Sequence, residues 1–101
     1  MKQSASTSVS SWFLYIIRAA DNSLYTGITT DVARRFAEHS EGGKLAARYL
    51  RGRAPLTLCF QHDIGTRAKA LKAEYRFKQL AKAEKERLLT TPTQLAEFLG
   101  D

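Results

Sequence analysis

Apolar residues come in short runs near the start of this chain and at helical spacing further along it. Trp12 to Arg18, WFLYIIR, is aromatic and β-branched with Leu14 as its one strong helix former. It reads as a strand buried on both faces. AADNS follows, and its Asp21, Asn22 and Ser23 suit a tight turn. LYTGI (Leu24 to Ile28) then returns as a second strand, so the two form an antiparallel hairpin. Gly27 within that strand costs stability unless the backbone must come close to something there. Thr29, Thr30 and Asp31 are all competent N-caps for a helix running to about His39. On it, Val32, Arg35, Phe36 and His39 share one face, while Arg34 points to the side of Ala37 and Glu38. The glycines of SEGG end that helix.

KLAARYLRGRAP reads as a short helix leading into a basic loop closed by Pro55, and LTLCFQHDI (Leu56 to Ile64) as a third strand. A helical pattern capped by Thr66 extends to about Ala81, and another covers roughly Lys82 to Leu89. A short terminal helix follows Pro92. The order strand–strand–helix–strand–helix predicts an α+β domain, a small three-stranded antiparallel sheet flanked by helices. No repeat or linker divides the chain. Residues 1–10, polar and Ser-rich, are expected to be a disordered lead-in, residues 11–89 the domain, and residues 90–101 a helical extension.

Charge narrows the class of partner. Sixteen Lys and Arg against ten Asp and Glu give a net charge of +6 over 101 residues, which favours an anionic partner such as nucleic acid or an acidic membrane surface. One cysteine excludes an internal disulfide and fits a reducing compartment. Cys59 lies in an apolar run and is expected to be a buried, inert thiol. With one Cys and two His there is no zinc-site spacing. No stretch is apolar enough to span a bilayer and the N-terminus has no signal-peptide pattern, so a cytoplasmic location is expected.

Candidate chemistry begins with Glu74. Its helical neighbours are Ala70, Leu71, Phe77 and Ala81, which places the carboxylate in the middle of an apolar stripe. A carboxylate there needs a cation, either an arginine in a structural ion pair or a metal ion in a cleft. Tyr15 and Tyr25 sit on strands one turn apart. Arg35, on the inward-leaning face with Phe36 and His39, needs an anionic partner, Glu74 or a phosphate. His62 has no supporting neighbours and is assigned no role. Lys44, Arg48, Arg51 and Arg53, with Tyr49 among them, can follow a sugar–phosphate backbone. Eight basic residues against three acidic ones between Arg67 and Arg87 read equally well as a solvated helix face.

The ordered set Tyr15, Tyr25 with Gly27, Arg35, His39 and Glu74 resembles the GIY-YIG nuclease superfamily, with FLY and YTG standing for its two short strand motifs. RYLRGRAP, Arg48 to Pro55, is similar to a basic stretch in the small stand-alone bacterial members. The resemblance covers roughly Ser11 to Leu89. It implies a GIY-YIG-like fold and an endonuclease that hydrolyses phosphodiester bonds, in DNA most readily, structured or single-stranded. It further implies one Mg²⁺ or Mn²⁺ ion on Glu74, a phosphate-stabilising Arg35, Tyr15 or Tyr25 acting on the attacking water, and His39 assisting. Phe13 replaces the first glycine of the signature, and Ile28 stands where some relatives carry a lysine. The alternative is a non-catalytic nucleic-acid-binding module of the same fold; a protein partner is also compatible with so small a domain.

Overall fold

The computed structural model describes residues 10–100; the expected lead-in therefore lies almost wholly outside the described residues. Three strands form one antiparallel sheet, β1 (Trp12–Arg18), β2 (Leu24–Thr29) and β3 (Thr57–Gly65), in the order β2-β1-β3. Helix α1 (Val32–Glu41) and a 3₁₀ turn (Arg48–Leu50) lie between β2 and β3. Helices α2 (Arg67–Lys78), α3 (Lys82–Leu89) and α4 (Pro92–Gly100) complete the chain.

The central strand β1 is buried on both faces, as its unbroken apolar run requires. Leu14 and Ile16 enter a core with Ala73, Phe77, Leu88, Leu95 and Leu99 from α2, α3 and α4. Tyr15 and Ile17 enter a second core with Val32 of α1 and Leu50 of the 3₁₀ turn. The hairpin turn puts Asn22 at φ 72°, a conformation asparagine tolerates. Asp31 is the cap that α1 uses, its side chain accepting from the Arg34 N–H at 3.1 Å. Thr66 caps α2 in the same way through the Lys69 N–H at 3.2 Å. Gly42, at φ 74°, ends α1 in the left-handed region.

Three expectations change. Cys59 is exposed. The register moves between Ile16↔Phe60 and Ile17↔Leu58, so Cys59 is the extra residue of a β-bulge. The bulge lets Leu58 join the Tyr15-side core while Phe60 joins the other, and it leaves the thiol outside both. Helix α2 stops at Lys78 rather than Ala81, because Ala81 is extended and half-buried Leu80 packs on the core beneath. Finally, the buried stripe of α2 is Ala70, Ala73 and Phe77; Glu74 lies at its border, half-buried, and Leu71 is exposed. Among the described residues no helix is long and apolar enough to cross a membrane.

Candidate active site

Tyr15 pairs in register with Gly27, and its hydroxyl rests directly over that glycine. A Cβ on residue 27 would stand 2.4 Å from Tyr15 Oη, so any side chain there must displace the phenol. The strand glycine is thus the space into which the tyrosine fits. His39, in the last turn of α1, places Nε2 2.9 Å from the same oxygen. Its other ring nitrogen, Nδ1, accepts the Ala47 N–H at 3.1 Å. An accepting Nδ1 carries no proton, so neutral His39 is protonated on Nε2 and donates to Tyr15. Burial, reinforced by the nearby Arg35 charge, lowers the His39 pKa to about 4, with Glu38 opposing. Burial also pushes the Tyr15 phenol up, helped by Tyr25 and opposed by the Arg35 guanidinium beside it.

Arg35 lies one turn before His39 and leans inward. It donates to Glu38 Oε1 at 2.9 Å and to the Leu45 carbonyl at 2.6 Å, which holds the guanidinium next to the phenol. Arg34, on the outer side, is 63 % exposed with only a 3.9 Å approach to Glu38. The Tyr25 ring meets His39 edge-on at 5.4 Å and Tyr15 at 6.4 Å between centroids. Glu74 is near enough to raise the Tyr15 pKa. Among the described residues its one ion-pair partner is Lys78, at 3.3 Å, so the arginine of the structural-pair alternative is not found there. Strands β1 and β2 and helix α1 therefore bring Tyr15, Tyr25, Arg35 and His39 together, and Glu74 of α2 lies near enough for its charge to act on Tyr15.

The basic stretch divides. Arg53 ion-pairs Asp21, donates to the Tyr49 carbonyl at 2.6 Å and covers the Tyr49 ring at 4.4 Å, tying its loop to the hairpin turn. Arg51 donates to the Lys44 carbonyl at 3.0 Å. Lys44, Arg48 and Arg51 are exposed and form no ion pair among the described residues. Tyr49 stacks on Tyr25 at 6.2 Å and 21°. It borders an open cleft of about 330 Å³ with Leu24, Tyr25, Thr26, Lys78 and Lys85. Neither lysine stands out in the sequence. Lys78 had a local signal, its i,i+4 spacing to Glu74; Lys85 lies beyond the break at Ala81 and had none. His62 lines a different cavity, of about 230 Å³, which includes none of the five converging residues.

The GIY-YIG catalytic domain family model matches residues 11–87. The chain is 56% identical over 89 residues to the UPF0213 protein YhbQ of Shigella dysenteriae serotype 1, covering 88% of this chain and 87% of that one. It is 55% identical over 89 residues to the same protein of Escherichia coli O139:H28, with the same coverage, 88% and 87%. Two solution NMR structures are similar. The protein EF2693 from E. faecalis has a TM-score of 0.59 at 32% identity, covering 93% of each chain. The UPF0213 protein BH0048 from Bacillus halodurans has a TM-score of 0.51 at 38% identity, covering 78% of this chain and 82% of that one. With its α+β fold and its Tyr15–Gly27 pairing, this chain belongs to the GIY-YIG nuclease family, and the relatives it matches are UPF0213 proteins.

Proposed function

We propose that the protein is a divalent-metal-dependent endonuclease that hydrolyses phosphodiester bonds in DNA, with one Mg²⁺ or Mn²⁺ ion held by Glu74. The observation that carries this reading is the convergence on Tyr15: a fixed His39 Nε2–H, the Arg35 guanidinium and the Glu74 carboxylate all act on it. Glu74 fits such an ion. Its carboxylate is a hard oxygen donor, half-buried and, among the described residues, paired with a half-exposed lysine alone. Among the described residues no group of three His, Cys, Asp or Glu forms a cage, which suits an ion that takes one carboxylate and keeps its waters. When bound, the ion supplies charge to the phosphate and the leaving oxygen.

The remaining roles follow from position. Tyr25 lines the open cleft, and as its phenolate it takes the proton of the attacking water and becomes the phenol. Buried Tyr15 is the lesser candidate, because burial keeps its phenol protonated and leaves it no site for the water's proton. It orients the site instead: its oxygen accepts from His39 and lies beside the Arg35 guanidinium, so the buried phenol holds both in place. Arg35, braced by Glu38 and Leu45, neutralises charge growing on the phosphate oxygens. Lys44, Arg48 and Arg51 hold the backbone of the substrate without reading its sequence.

The test is cleavage of plasmid and of labelled single- and double-stranded oligonucleotides with Mg²⁺, Mn²⁺ or EDTA. Cleavage that requires the cation and falls at least ~100-fold in Glu74→Ala, with DNA affinity and circular dichroism unchanged, supports the proposal. Wild-type protein that binds DNA but never cuts it with either ion overturns the proposal. The second reading, a non-catalytic binding module, would then stand; it draws on the raised Tyr15 pKa and on an Arg35 already engaged by Glu38.

A further inference from the structure

We infer that the cleft between Tyr25, Tyr49, Lys78 and Lys85 receives the nucleotide next to the scissile phosphate. Within it, Lys78 is an exchangeable counter-ion that leaves Glu74 for that nucleotide's phosphate once a divalent cation takes the carboxylate. The inference rests on the nuclease reading and adds two residues to it.

At about 330 Å³ the cleft is the size of a small-ligand site, and it opens beside the converging residues because Tyr25 belongs to both. Its lining holds two tyrosines and two lysines, a set suited to a sugar and its phosphate. The acids of α3 leave Lys85 uncompensated. Glu86 is bound by Arg18 and Lys82, and Glu84 by Arg87. Lys85 forms no ion pair among the described residues; its ammonium lies 5.8 Å from the centre of the Phe77 ring, which steadies it at the cleft.

Lys78 differs, being paired with Glu74 at 3.3 Å across one helical turn. Its side chain is 49 % exposed against 19 % for Glu74, and a single i,i+4 pair whose lysine reaches solvent is weak enough to exchange. A cation on Glu74 removes the one carboxylate paired with Lys78 among the described residues, so the cleft gains a second free ammonium as the ion arrives. Ion and substrate thereby assist each other's binding, as reciprocal linkage requires.

The test reads binding rather than turnover. A fluorescein-labelled oligonucleotide is titrated by anisotropy at several salt concentrations, in EDTA and in Ca²⁺, and Mn²⁺ binding is followed by electron paramagnetic resonance. Lys85→Gln is expected to weaken DNA binding several-fold in both media and to reduce the log–log salt slope by about 0.7–0.9. Lys78→Gln is expected to weaken it in Ca²⁺ but much less in EDTA, and to bind Mn²⁺ several-fold more tightly than wild type. Lys78→Arg should retain the DNA affinity. Unchanged Mn²⁺ affinity in Lys78→Gln, or an unchanged salt slope in folded Lys85→Gln, overturns the inference. Should Lys85→Gln not fold, the half-exposed Lys78 variant decides the question alone. A wild type that cuts DNA while both variants bind like it overturns the cleft and leaves the nuclease. A wild type that never cuts, with variants that bind as expected, does the reverse.

Discussion

Leu14 and Tyr15 are neighbours on one strand, yet they serve opposite sides of the molecule. The Leu14 side is an apolar core closed by Phe77, Leu88, Leu95 and Leu99, where every contact is non-directional. On the Tyr15 side a phenol, an imidazole and a guanidinium are held by directional bonds over a glycine. The first side contributes stability in proportion to buried area. The second gives up some of that area so that polar atoms have defined positions, which is what chemistry on a phosphate requires. Tyr15 and His39 are nearly inaccessible to solvent, at 2 % and 1 % exposed, so their bonds are not diluted by water.

Substitutions should separate the two sides. Leu95→Ala, on the apolar side, is expected to cost about 2–5 kcal/mol in urea unfolding, while protein that remains folded keeps its cleavage rate. Gly27→Ala, on the polar side, should cost about 1–3 kcal/mol by overpacking against the Tyr15 hydroxyl. Its cleavage loss should be the larger signal, about 100-fold, because the phenol is moved by an ångström or more. Equal losses of rate in both variants would erase the contrast between the two sides.

Acid provides a finer probe of the same contrast. His39 has a folded pKa of about 4 against 6.5 when unfolded. Below 6.5 the unfolded chain therefore binds the proton more readily, so this contribution to stability is full above pH 6.5 and is lost as pH falls toward 4. Melting temperatures measured from pH 7 to pH 4 should fall in wild type, and the fall should be smaller in His39→Gln. Glu86, held down to about 2 by Arg18 and then by Lys82, loses its contribution at lower pH, largely below that window. The smallest effect belongs to Arg34→Ala, expected within about 0.5 kcal/mol of wild type and with unchanged cleavage. Arg35→Ala should slow cleavage, and equal behaviour of the two arginines would remove the distinction drawn between the faces of α1.

Much of this arrangement was legible along the chain wherever a local rule applied. The apolar run of β1, the caps Asp31 and Thr66 and the glycine stop after α1 are decided within a few residues, and the observed elements follow them. So does the separation of Arg34 from Arg35, since one helical turn settles which face a side chain takes. Cys59 defeated its local pattern because a bulge depends on which residues of β1 and β3 meet, and strand alternation does not encode that. Glu74 was placed one step too far into the apolar stripe, because Leu71 and Ala81, counted as buried neighbours, are exposed.

Propensity, capping and periodicity act over single turns and strands, so the elements, their order and the residue types available for chemistry are written along the chain. That His39 donates from Nε2 is settled by folding alone, because the Ala47 N–H that occupies Nδ1 comes from eight residues away, beyond the end of α1. Folding also brought Lys78 and Lys85 to one cleft with Tyr25 and Tyr49, since the break between α2 and α3 is imposed by the packing of Leu80 rather than by any local stop signal. Partners distant in the chain meet only when a core closes, and the side chains that share a charge or a proton are then chosen by packing.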